Sequence, residues 1–306
     1  MRVMPGQPPP LRMRPAYLRD LGDGPVRESG DLDTLAAAAR DGGVVVLSGA
    51  GISTDSGIPD YRGPEGALRR HTPMTYQEFT GSPEGRRRYW ARSFVGWRHV
   101  AQAAPNAAHR AVAVLEEAGF VDAVVTQNVD GLHQAAGSRA VVELHGSLDA
   151  VVCLACGDRS PRGDLDDRLR AANPAFVEIA RRMADREVNP DGDVALPERE
   201  VARFRVVDCR VCGGDLKPDV VFFGEGVPRE RVRRCEAMVD AARLLLVAGS
   251  SLTVMSGYRF VLRARERGIP VAIVNRGPTR GDDMHHVRLD RPLGEVLPGL
   301  ARRLMP

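Results

Sequence analysis

The sequence lacks any apolar run close to the roughly 18 residues that a membrane-spanning helix needs, which excludes a helical integral membrane protein. It also lacks a strong net charge: 43 basic and 40 acidic residues give +3 at pH 7, a field too weak to favour nucleic acid as a specific partner. Lysine is nearly absent, since Lys217 is the single lysine and arginine supplies every other basic residue. What is present is length. With 306 residues, 43% of them hydrophobic, the chain can form about two domains and a large core.

Cysteine is scarce as well, and its spacing is informative. The five cysteines are an odd number, and four of them form the pairs Cys153-x-x-Cys156 and Cys209-x-x-Cys212. Paired CxxC units indicate metal ligands and not a secreted disulfide framework. Four thiolates predict one tetrahedral, closed and therefore structural zinc site, with buried free thiols as the alternative. The pairs are separated by 52 residues, against roughly 15 to 20 in a simple zinc ribbon.

The N-terminal segment is rich in proline and arginine and contains no apolar run of signal-peptide length. Such a segment cannot pack a core, so we expect residues 1–28 to be a disordered arm. The prolines also argue against the amphipathic helix of an organelle-targeting peptide. We therefore expect a cytoplasmic protein.

Apolar, β-branched runs alternate with helical patterns along the rest of the chain. They predict buried parallel strands at 44–47, 121–126, 244–248 and 271–274. Asn106 is a suitable N-cap for a helix that stops before Gly119. The fold predicted is α/β, with a doubly wound Rossmann-type parallel sheet.

Two segments interrupt this alternation. Residues 61–104 contain no strand pattern and predict a helical insertion, whereas residues 147–216 hold both CxxC pairs and predict a smaller inserted zinc-binding module. We expect one catalytic domain over 29–306, whose nucleotide-binding Rossmann part comprises 29–60, 105–146 and 217–306.

A glycine-rich turn, Gly49-Ala50-Gly51-Ile52-Ser53, follows the first predicted strand. Glycines permit a tight turn and a close approach of backbone N–H groups to a phosphate, which favours a dinucleotide site. Thr54 stands where the third glycine of GxGxxG would be, so a plain structural turn is the alternative. The polar, flexible segment 56–62 that follows is typical of a loop that closes over a ligand.

A polar cluster follows the second predicted strand. Gln127, Asn128 and Asp130 lie just beyond its carboxyl end, where open α/β sheets bind ligands, although an Asn/Asp helix cap is the alternative. His145 ends the next strand-like run at the same edge, and an imidazole suits general-base catalysis on a sugar hydroxyl. We interpret His133 as a packing or capping residue.

These motifs, taken in their order along the chain, resemble those of the sirtuin family. The matching residues are Gly49-Ala50-Gly51-x-Ser53-x-x-Ser56-Gly57-Ile58-Pro59-Asp60-Tyr61-Arg62, Thr126-Gln127-Asn128-x-Asp130-x-Leu132-His133, His145-Gly146, the two CxxC pairs, Lys217-Pro218-Asp219-Val220-Val221-Phe222-Phe223-Gly224-Glu225, Gly249-Ser250-Ser251 and Val274-Asn275. Within the sirtuins, the chain is most similar to the class II group, which includes an animal mitochondrial lipoamidase and ADP-ribosyltransferase. The residues that carry this closer resemblance are Tyr61, where Phe is commoner, and the segments Arg88-Tyr89-Trp90-Ala91-Arg92, Pro190-Asp191-Gly192-Asp193 and Ser256-Gly257-Tyr258-Arg259-Phe260.

The resemblance implies an NAD-dependent protein lysine deacylase, a transferase that moves the acyl group of an acylated-lysine protein to ADP-ribose and releases nicotinamide. A protein mono-ADP-ribosyltransferase is the nearest alternative, and a non-catalytic NAD- and zinc-binding interaction protein is an alternative of another class. The co-substrate implied is NAD, with one structural zinc.

The resemblance also implies roles for individual residues. Catalysis is assigned to His145, Asn128 and Asp130. NAD binding is assigned to Gly49, Ala50, Gly51, Ser53, Ile58, Asp60, Tyr61, Arg62, Gln127, Asn128, Val129, Asp130, Gly249, Ser250, Ser251, Asn275, Arg276, Gly277 and Leu293. Substrate contacts are assigned to Phe223, Gly224 and Glu225, by strand addition to the peptide. Tyr89 and Arg92 share one helix face at i and i+3, and we expect them to read acyl chains bulkier than acetyl, including those that end in a carboxylate.

Overall fold

The computed structural model describes residues 21, 26–62, 66, 72–182 and 189–305, so the arm predicted for 1–28 lies almost wholly outside the described residues. The strands are β1 Val44–Ser48, β2 Val121–Thr126, β3 Val141–Glu143, β4 Gly146–Cys153, β5 Arg159–Pro161, β6 Leu216–Val220, β7 Leu244–Ala248, β8 Val271–Val274 and β9 Val287–Leu289. The helices are α1 Leu32–Ala39, α2 Tyr76–Gly81, α3 Pro83–Gln102, α4 Ala107–Glu117, α5 Leu132–Ala135, α6 Arg162–Ala172, α7 Pro174–Arg182, α8 Glu198–Val201, α9 Arg229–Ala241, α10 Met255–Glu266 and α11 Leu293–Leu304.

Six parallel strands form the main sheet, in the order β3-β2-β1-β7-β8-β9. In the centre of this sheet Val46 pairs with Val124 on one side and with Leu246 on the other. This is the strand order of a doubly wound Rossmann sheet, in which the order reverses between β1 and β7. The predicted fold class and the four predicted parallel strands are confirmed.

Each face of the sheet has its own helical layer, because successive residues of a strand point to opposite sides. Val44 and Val46 lie in the core that α1, α4 and α11 cover. Val45 and Leu47 lie in the core that α9 and α10 cover. The second layer contains Cys235, whose side chain is fully buried, and burial raises the pKa of this thiol to about 11. Burial on both faces explains why these strands are continuous apolar runs.

The two inserted segments share a third hydrophobic core. In the smaller sheet β4 lies between β5 and β6 and is antiparallel to both. Helix α3 packs against this sheet through Trp90, which is 1% exposed and donates a hydrogen bond from Nε1 to the carbonyl oxygen of Leu216 at 3.1 Å. The strand β6 spans the boundary predicted at 216/217, so the chain leaves the small sheet only after Val220.

The N-terminus of α4 is hydrogen-bonded to the glycine-rich turn. Asn106 caps this helix, as predicted, by accepting hydrogen bonds from the N–H groups of Ala108 and His109. Its Nδ2 donates to the carbonyl oxygen of Ile52 at 2.8 Å. The helix stops before Gly119, whose φ is +81°. No helix in the described part of the chain combines the length and the apolar character needed to cross a membrane.

Candidate active site

The loops that follow β1 and β7 meet backbone to backbone at the carboxyl edge of the sheet. The N–H of Gly51 donates to the carbonyl oxygen of Gly249 at 2.9 Å. A Cβ atom on Gly49 would lie 2.8 Å from that oxygen, and one on Gly51 would lie 2.9 Å from Cα of Gly249, which itself has φ +66°. These glycines are therefore required for the contact between the two loops. The turn continues through Ala50 in a short 3₁₀ helix, Ala50–Ile52.

Ser53 joins the turn to the polar cluster after β2. Its Oγ donates to Oδ2 of Asp130 at 2.7 Å and accepts from Nδ2 of Asn128 at 3.1 Å. Asn128 also donates to the carbonyl oxygen of Gly49 at 3.2 Å. The other oxygen of Asp130 accepts from the N–H of Leu132, so this carboxylate also meets the start of α5. Burial raises the pKa of Asp130. The structure thus brings the turn and the cluster together.

Gln127 connects β2 to the loop after β7. Its Nε2 donates to Oγ of Ser250 at 2.8 Å, and its N–H donates to the carbonyl oxygen of Ser48 at 2.9 Å. Ser251 forms a hydroxyl–hydroxyl hydrogen bond with Thr253 at 3.1 Å. These contacts hold the predicted 249–251 segment against the end of β2.

Val129 connects the polar cluster to the smaller sheet. Its carbonyl oxygen accepts from the N–H of Leu148 in β4 at 3.0 Å, and its side chain packs against the third core. The cluster therefore lies between the two sheets.

His145 follows β3 directly and is partly buried beside this cluster. Its Nδ1 lies 2.8 Å from the carbonyl oxygen of Gln127, and its Nε2 lies 2.8 Å from Oγ of Ser256. A carbonyl oxygen can only accept, so Nδ1 carries the proton, and the electron pair of Nε2 accepts from the Ser256 hydroxyl. Burial lowers the pKa of His145 to about 4. The imidazole is therefore neutral at pH 7, the state that a general base requires.

His133 lies behind the turn, in the packing role predicted for it. It is 1% exposed, and its Nε2 forms a hydrogen bond with Oγ of Ser48 at 2.9 Å. Its ring contacts the buried ring of His109 edge to face at 5.0 Å. Burial lowers the pKa of His133 to about 3 and that of His109 to about 4. Both imidazoles are neutral parts of the core.

The loop after β8 carries the residues predicted to bind the adenosine end of a dinucleotide. Nδ2 of Asn275 donates to the carbonyl oxygens of Arg276 and Gly277 at 2.9 and 3.0 Å, which fixes the shape of this loop. Leu293, at the start of α11, is buried against Gly249. A hollow of about 780 Å³ opens beside these elements, and its lining includes Asp55, Asn106, Arg110, Arg276 and Gly294.

The segment after the glycine-rich turn leads from the main sheet to the third core. Ile58 is 3% exposed and belongs to that core. Asp60 and Arg62 are partly buried beside it, and burial lowers the pKa of Arg62. The ring of Tyr61 meets Phe223 edge to face at 5.8 Å, and burial raises the pKa of the Tyr61 hydroxyl. The predicted closing loop therefore contacts the predicted peptide-binding segment.

Residues 223–225 are held from two sides. The N–H of Tyr76 donates to the carbonyl oxygen of Phe223 at 2.9 Å, and Nε2 of Gln77 donates to that of Gly224 at 3.2 Å. Glu225 forms an ion pair with Nζ of Lys217 at 3.2 Å.

Lys217 itself is 4% exposed and anchors the segment from inside the protein. Its Nζ donates to the carbonyl oxygens of Pro218 and Val220 at 3.1 and 2.5 Å and lies 5.0 Å from the centre of the Phe222 ring. The single lysine of the chain is thus a buried structural cation.

Tyr89 and Arg92, the two residues predicted to contact the acyl chain, lie on α3. Tyr89 is 3% exposed and packs edge to face against Phe79 and Phe222 at 5.4 and 5.2 Å. Burial raises the pKa of its hydroxyl, which is therefore neutral. Arg92 pairs with Asp193, a residue from the zinc-binding module.

The four CxxC cysteines converge on one point. Their sulfurs all lie within 4.8 Å of one another, with Cys153–Cys212 at 3.5 Å and Cys156–Cys209 at 3.8 Å. A tetrahedral zinc ion with bonds of about 2.3 Å requires sulfurs about 3.8 Å apart, so the set fits zinc. Backbone N–H groups of Cys156 and Ala155 lower the pKa of Cys153 to about 7, toward the thiolate that a metal binds.

Both cysteine pairs sit in the same kind of turn. The N–H of Gly157 donates to the carbonyl oxygen of Cys153, and the N–H of Gly213 donates to that of Cys209. Each of these two glycines has φ +74°. The turn places the first cysteine of each pair inside and the second at the surface. Four protein sulfurs leave no open position, which is typical of a structural site.

The sheet order and the groups at its carboxyl edge define a nucleotide-binding enzyme of the doubly wound class. The Sir2 family model matches residues 49–256. The chain is 58% identical over 294 residues to NAD-dependent protein deacetylase 1 of Streptomyces coelicolor, covering 96% of this chain and 97% of that protein. It is 53% identical over 279 residues to NAD-dependent protein deacetylase 1 of Mycobacterium avium, covering 91% and 96%. The chain belongs to the Sir2 family, the sirtuins.

Solved structures agree with this assignment. A structure of Sir2 with a p53 peptide and NAD⁺ superimposes with a TM-score of 0.69 at 31% identity, covering 90% of this chain and 98% of that one. A Sir2 variant with a deacetylated p53 peptide and 3′-O-acetyl ADP-ribose gives a TM-score of 0.70 at 31% identity, with the same coverage of both chains.

Proposed function

We propose that this protein is an NAD-dependent protein lysine deacylase. The observation that carries this proposal is the state of His145: a neutral imidazole at the sheet edge, protonated on the Nδ1 that meets the Gln127 carbonyl oxygen, with its Nε2 unprotonated. A protein that only binds a dinucleotide needs no base at that place. The curated relatives are named NAD-dependent protein deacetylases.

NAD would lie across the carboxyl edge of the main sheet. The segments 49–53, 249–251 and 275–277 lie at the ends of β1, β7 and β8, where a dinucleotide binds in this class of fold. Leu293 would close the adenine side. When bound, NAD supplies the ribose that receives the acyl group and the nicotinamide that leaves.

The chain's own residues would then orient the reactants and move one proton. Asn128 and Asp130, fixed by Ser53, would position the ribose and the nicotinamide beside the base. His145 would take the proton of the attacking hydroxyl on Nε2. The carbonyl oxygen of Gln127 stabilises the imidazolium that forms, because it already accepts the Nδ1–H hydrogen bond.

The acylated protein would enter between the main sheet and the inserted segments. Residues 223–225 would pair with its backbone by strand addition. Tyr89 and Arg92 would face the acyl chain from the α3 side. Zinc on the four cysteines would hold β4 and β6 together and take no part in the chemistry.

The test is to incubate the protein with NAD and an acetyl-lysine peptide and to identify the products by mass spectrometry. We expect nicotinamide, free lysine peptide and O-acetyl-ADP-ribose in equal amounts. His145→Ala should lower product formation at least about a hundredfold and leave NAD binding, measured by calorimetry, nearly unchanged. His285→Ala is the control, since that ring bonds the carbonyl oxygen of Asp282, within its own turn. ADP-ribose attached to protein without peptide deacylation would contradict the proposal.

A further inference from the structure

Ser256 is a hydroxyl in direct contact with the base, and the family motifs assign it no role. Its Oγ lies 2.8 Å from Nε2 of His145. Because Nδ1 of that ring already donates to Gln127, the Ser256 hydroxyl must donate its proton to Nε2. Each nitrogen of the imidazole therefore has one partner. The ring donates one hydrogen bond and accepts the other, and together they fix its plane.

The position of Ser256 is itself tightly constrained. It lies in the first turn of α10, next to Gly257. A Cβ atom on Gly257 would lie 2.4 Å from Oε1 of Gln127, so a larger residue there would displace the Gln127 side chain. Gln127 thus holds both partners, since its carbonyl oxygen binds His145 and its side chain packs against the turn that carries Ser256.

The Ser256 hydroxyl favours the neutral form of the base, because it donates to the Nε2 electron pair. An alanine could not hold the neutral ring in this way, and a cysteine would do so poorly because its S–H is a weak donor.

We propose that Ser256 is a positioning residue for His145: it holds the imidazole in its Nδ1-protonated tautomer and in its plane until the attacking hydroxyl takes the place of the Ser256 O–H at Nε2, which then receives the substrate proton. The proposal rests on the proposed role of His145 as the base. Ser256 acts through the ring and needs no contact with either substrate.

The charges that act on the ring are few. Arg231 of α9 donates to the carbonyl oxygen of Leu144 at 3.3 Å, and its positive charge further lowers the pKa of His145. Glu143 of β3 interacts with Arg231 and offsets part of that charge. The β2 side presents the Gln127 carbonyl and the α10 side presents Ser256, both uncharged. A change at Ser256 therefore alters the hydrogen bonding of the ring and leaves its charged surroundings unchanged.

The experiment compares Ser256→Ala and Ser256→Thr with the wild type. The ring nitrogens of His145 are followed by ¹⁵N NMR across a pH titration, with His145→Ala to assign its signals among the seven histidines. In Ser256→Ala we expect the pKa of His145 to rise by about one unit, because the neutral ring loses a donor. Threonine, which keeps the hydroxyl, should restore the wild-type titration.

Kinetics give the second measurement. Ser256→Ala should lower kcat about tenfold at pH 7.5, with the KM for NAD changed less than about twofold, and the acid limb of the pH profile should move upward with the pKa. Ser256→Thr should recover most of kcat. The matched control is Met255→Ala, which alters the exposed neighbour in the same helical turn.

Three results would overturn the proposal. They are an unchanged His145 titration in Ser256→Ala, an equal loss of kcat in Ser256→Thr, or a rise in the KM for NAD that accounts for the whole effect. The NMR titration does not depend on turnover. If the wild type proves inactive as a deacylase, the proposed function fails while the hydrogen bond between Ser256 and His145 is still tested.

Discussion

Nη1 of Arg92 lies 3.4 Å from Oδ2 of Asp193, and this ion pair links the helical insertion to the zinc-binding module. The Asp193 side chain is 3% exposed and that of Arg92 is 19% exposed, so the pair is largely shielded from water. A guanidinium with a carboxylate already beside it attracts a second carboxylate less strongly. The ion pair therefore bears directly on which acyl chains Arg92 can recognise.

We predict that Asp193→Asn increases the preference for acidic acyl groups. The substitution removes one negative charge while it keeps the shape of the side chain, and it frees Arg92 to bind a terminal carboxylate. The ratio of kcat/KM for glutaryl-lysine to that for acetyl-lysine peptide should rise about tenfold, and lipoyl-lysine should change little. In the double variant Arg92→Met, Asp193→Asn the gain should disappear. If the gain persists without Arg92, this residue does not read the acyl chain.

We predict that Gly51→Ala destabilises the protein and weakens NAD binding. The new Cβ would lie 2.9 Å from Gly249, so the loops after β1 and β7 must separate. Overpacking of this kind costs about 1–3 kcal/mol of the free energy of unfolding. Chemical denaturation and calorimetry with NAD measure the two effects. Gly163→Ala is the control: nothing lies within 4 Å of its Cβ position in α6, so this variant should be as stable as the wild type or more so.

We predict about one zinc ion per chain by elemental analysis. Cys209→Ser should lower both the zinc content and the melting temperature, because this thiolate is one of four ligands and lies in the core shared by the inserted segments. Cys235→Ala removes the fifth cysteine, which lies under the main sheet, and should leave the zinc content unchanged. A metal-free preparation with full stability and activity would refute the zinc site.

We predict that the protein loses stability as the pH falls from 7 to 5. His133 and His109 have native pKa values of about 3 and about 4, below the unfolded value of about 6.5. Between these values the unfolded chain binds more protons, so acid favours unfolding, by about 2 kcal/mol at pH 5 for each imidazole. Denaturation at the two pH values measures the loss. His133→Gln should make the loss smaller by about that amount, whereas an equal loss in the variant would contradict the assignment.

Most of the main sheet could be predicted from the sequence. The strands β2, β7 and β8 begin and end at the predicted residues, because strands buried on both faces are continuous apolar runs between polar or glycine boundaries. The edge strand β9 could not be predicted in this way. Its central residue is Arg288, fully buried, whose guanidinium donates to the carbonyl oxygens of Asn275 and Leu289 at 3.0 and 2.6 Å. No local pattern predicts that an arginine will be buried in a strand, because one of the carbonyl oxygens that bind it lies 13 positions away in the sequence.

The candidate site, like the fold, could be predicted from the sequence only in part. The glycine-rich turn, the cluster at Asn128 and Asp130, and His145 each follow the end of a strand, so strand prediction was enough to bring them to one edge. The contact between His145 and Ser256 joins residues 111 positions apart, and it depends on how closely α10 approaches β2. Ser256 did stand within the Ser256-Gly257-Tyr258 motif. Nothing in that motif said that its hydroxyl meets the base.

The burial of Lys217 has a practical consequence for work on this enzyme. As the only lysine, 4% exposed and engaged by Glu225, it leaves the chain without an accessible side-chain amine. Reagents that acylate amines cannot turn this protein into a mimic of its own substrate. Antibodies against acyl-lysine will therefore report only the target protein in a reaction mixture. Immobilisation through side-chain amines will fail, and a thiol or an affinity handle must take its place.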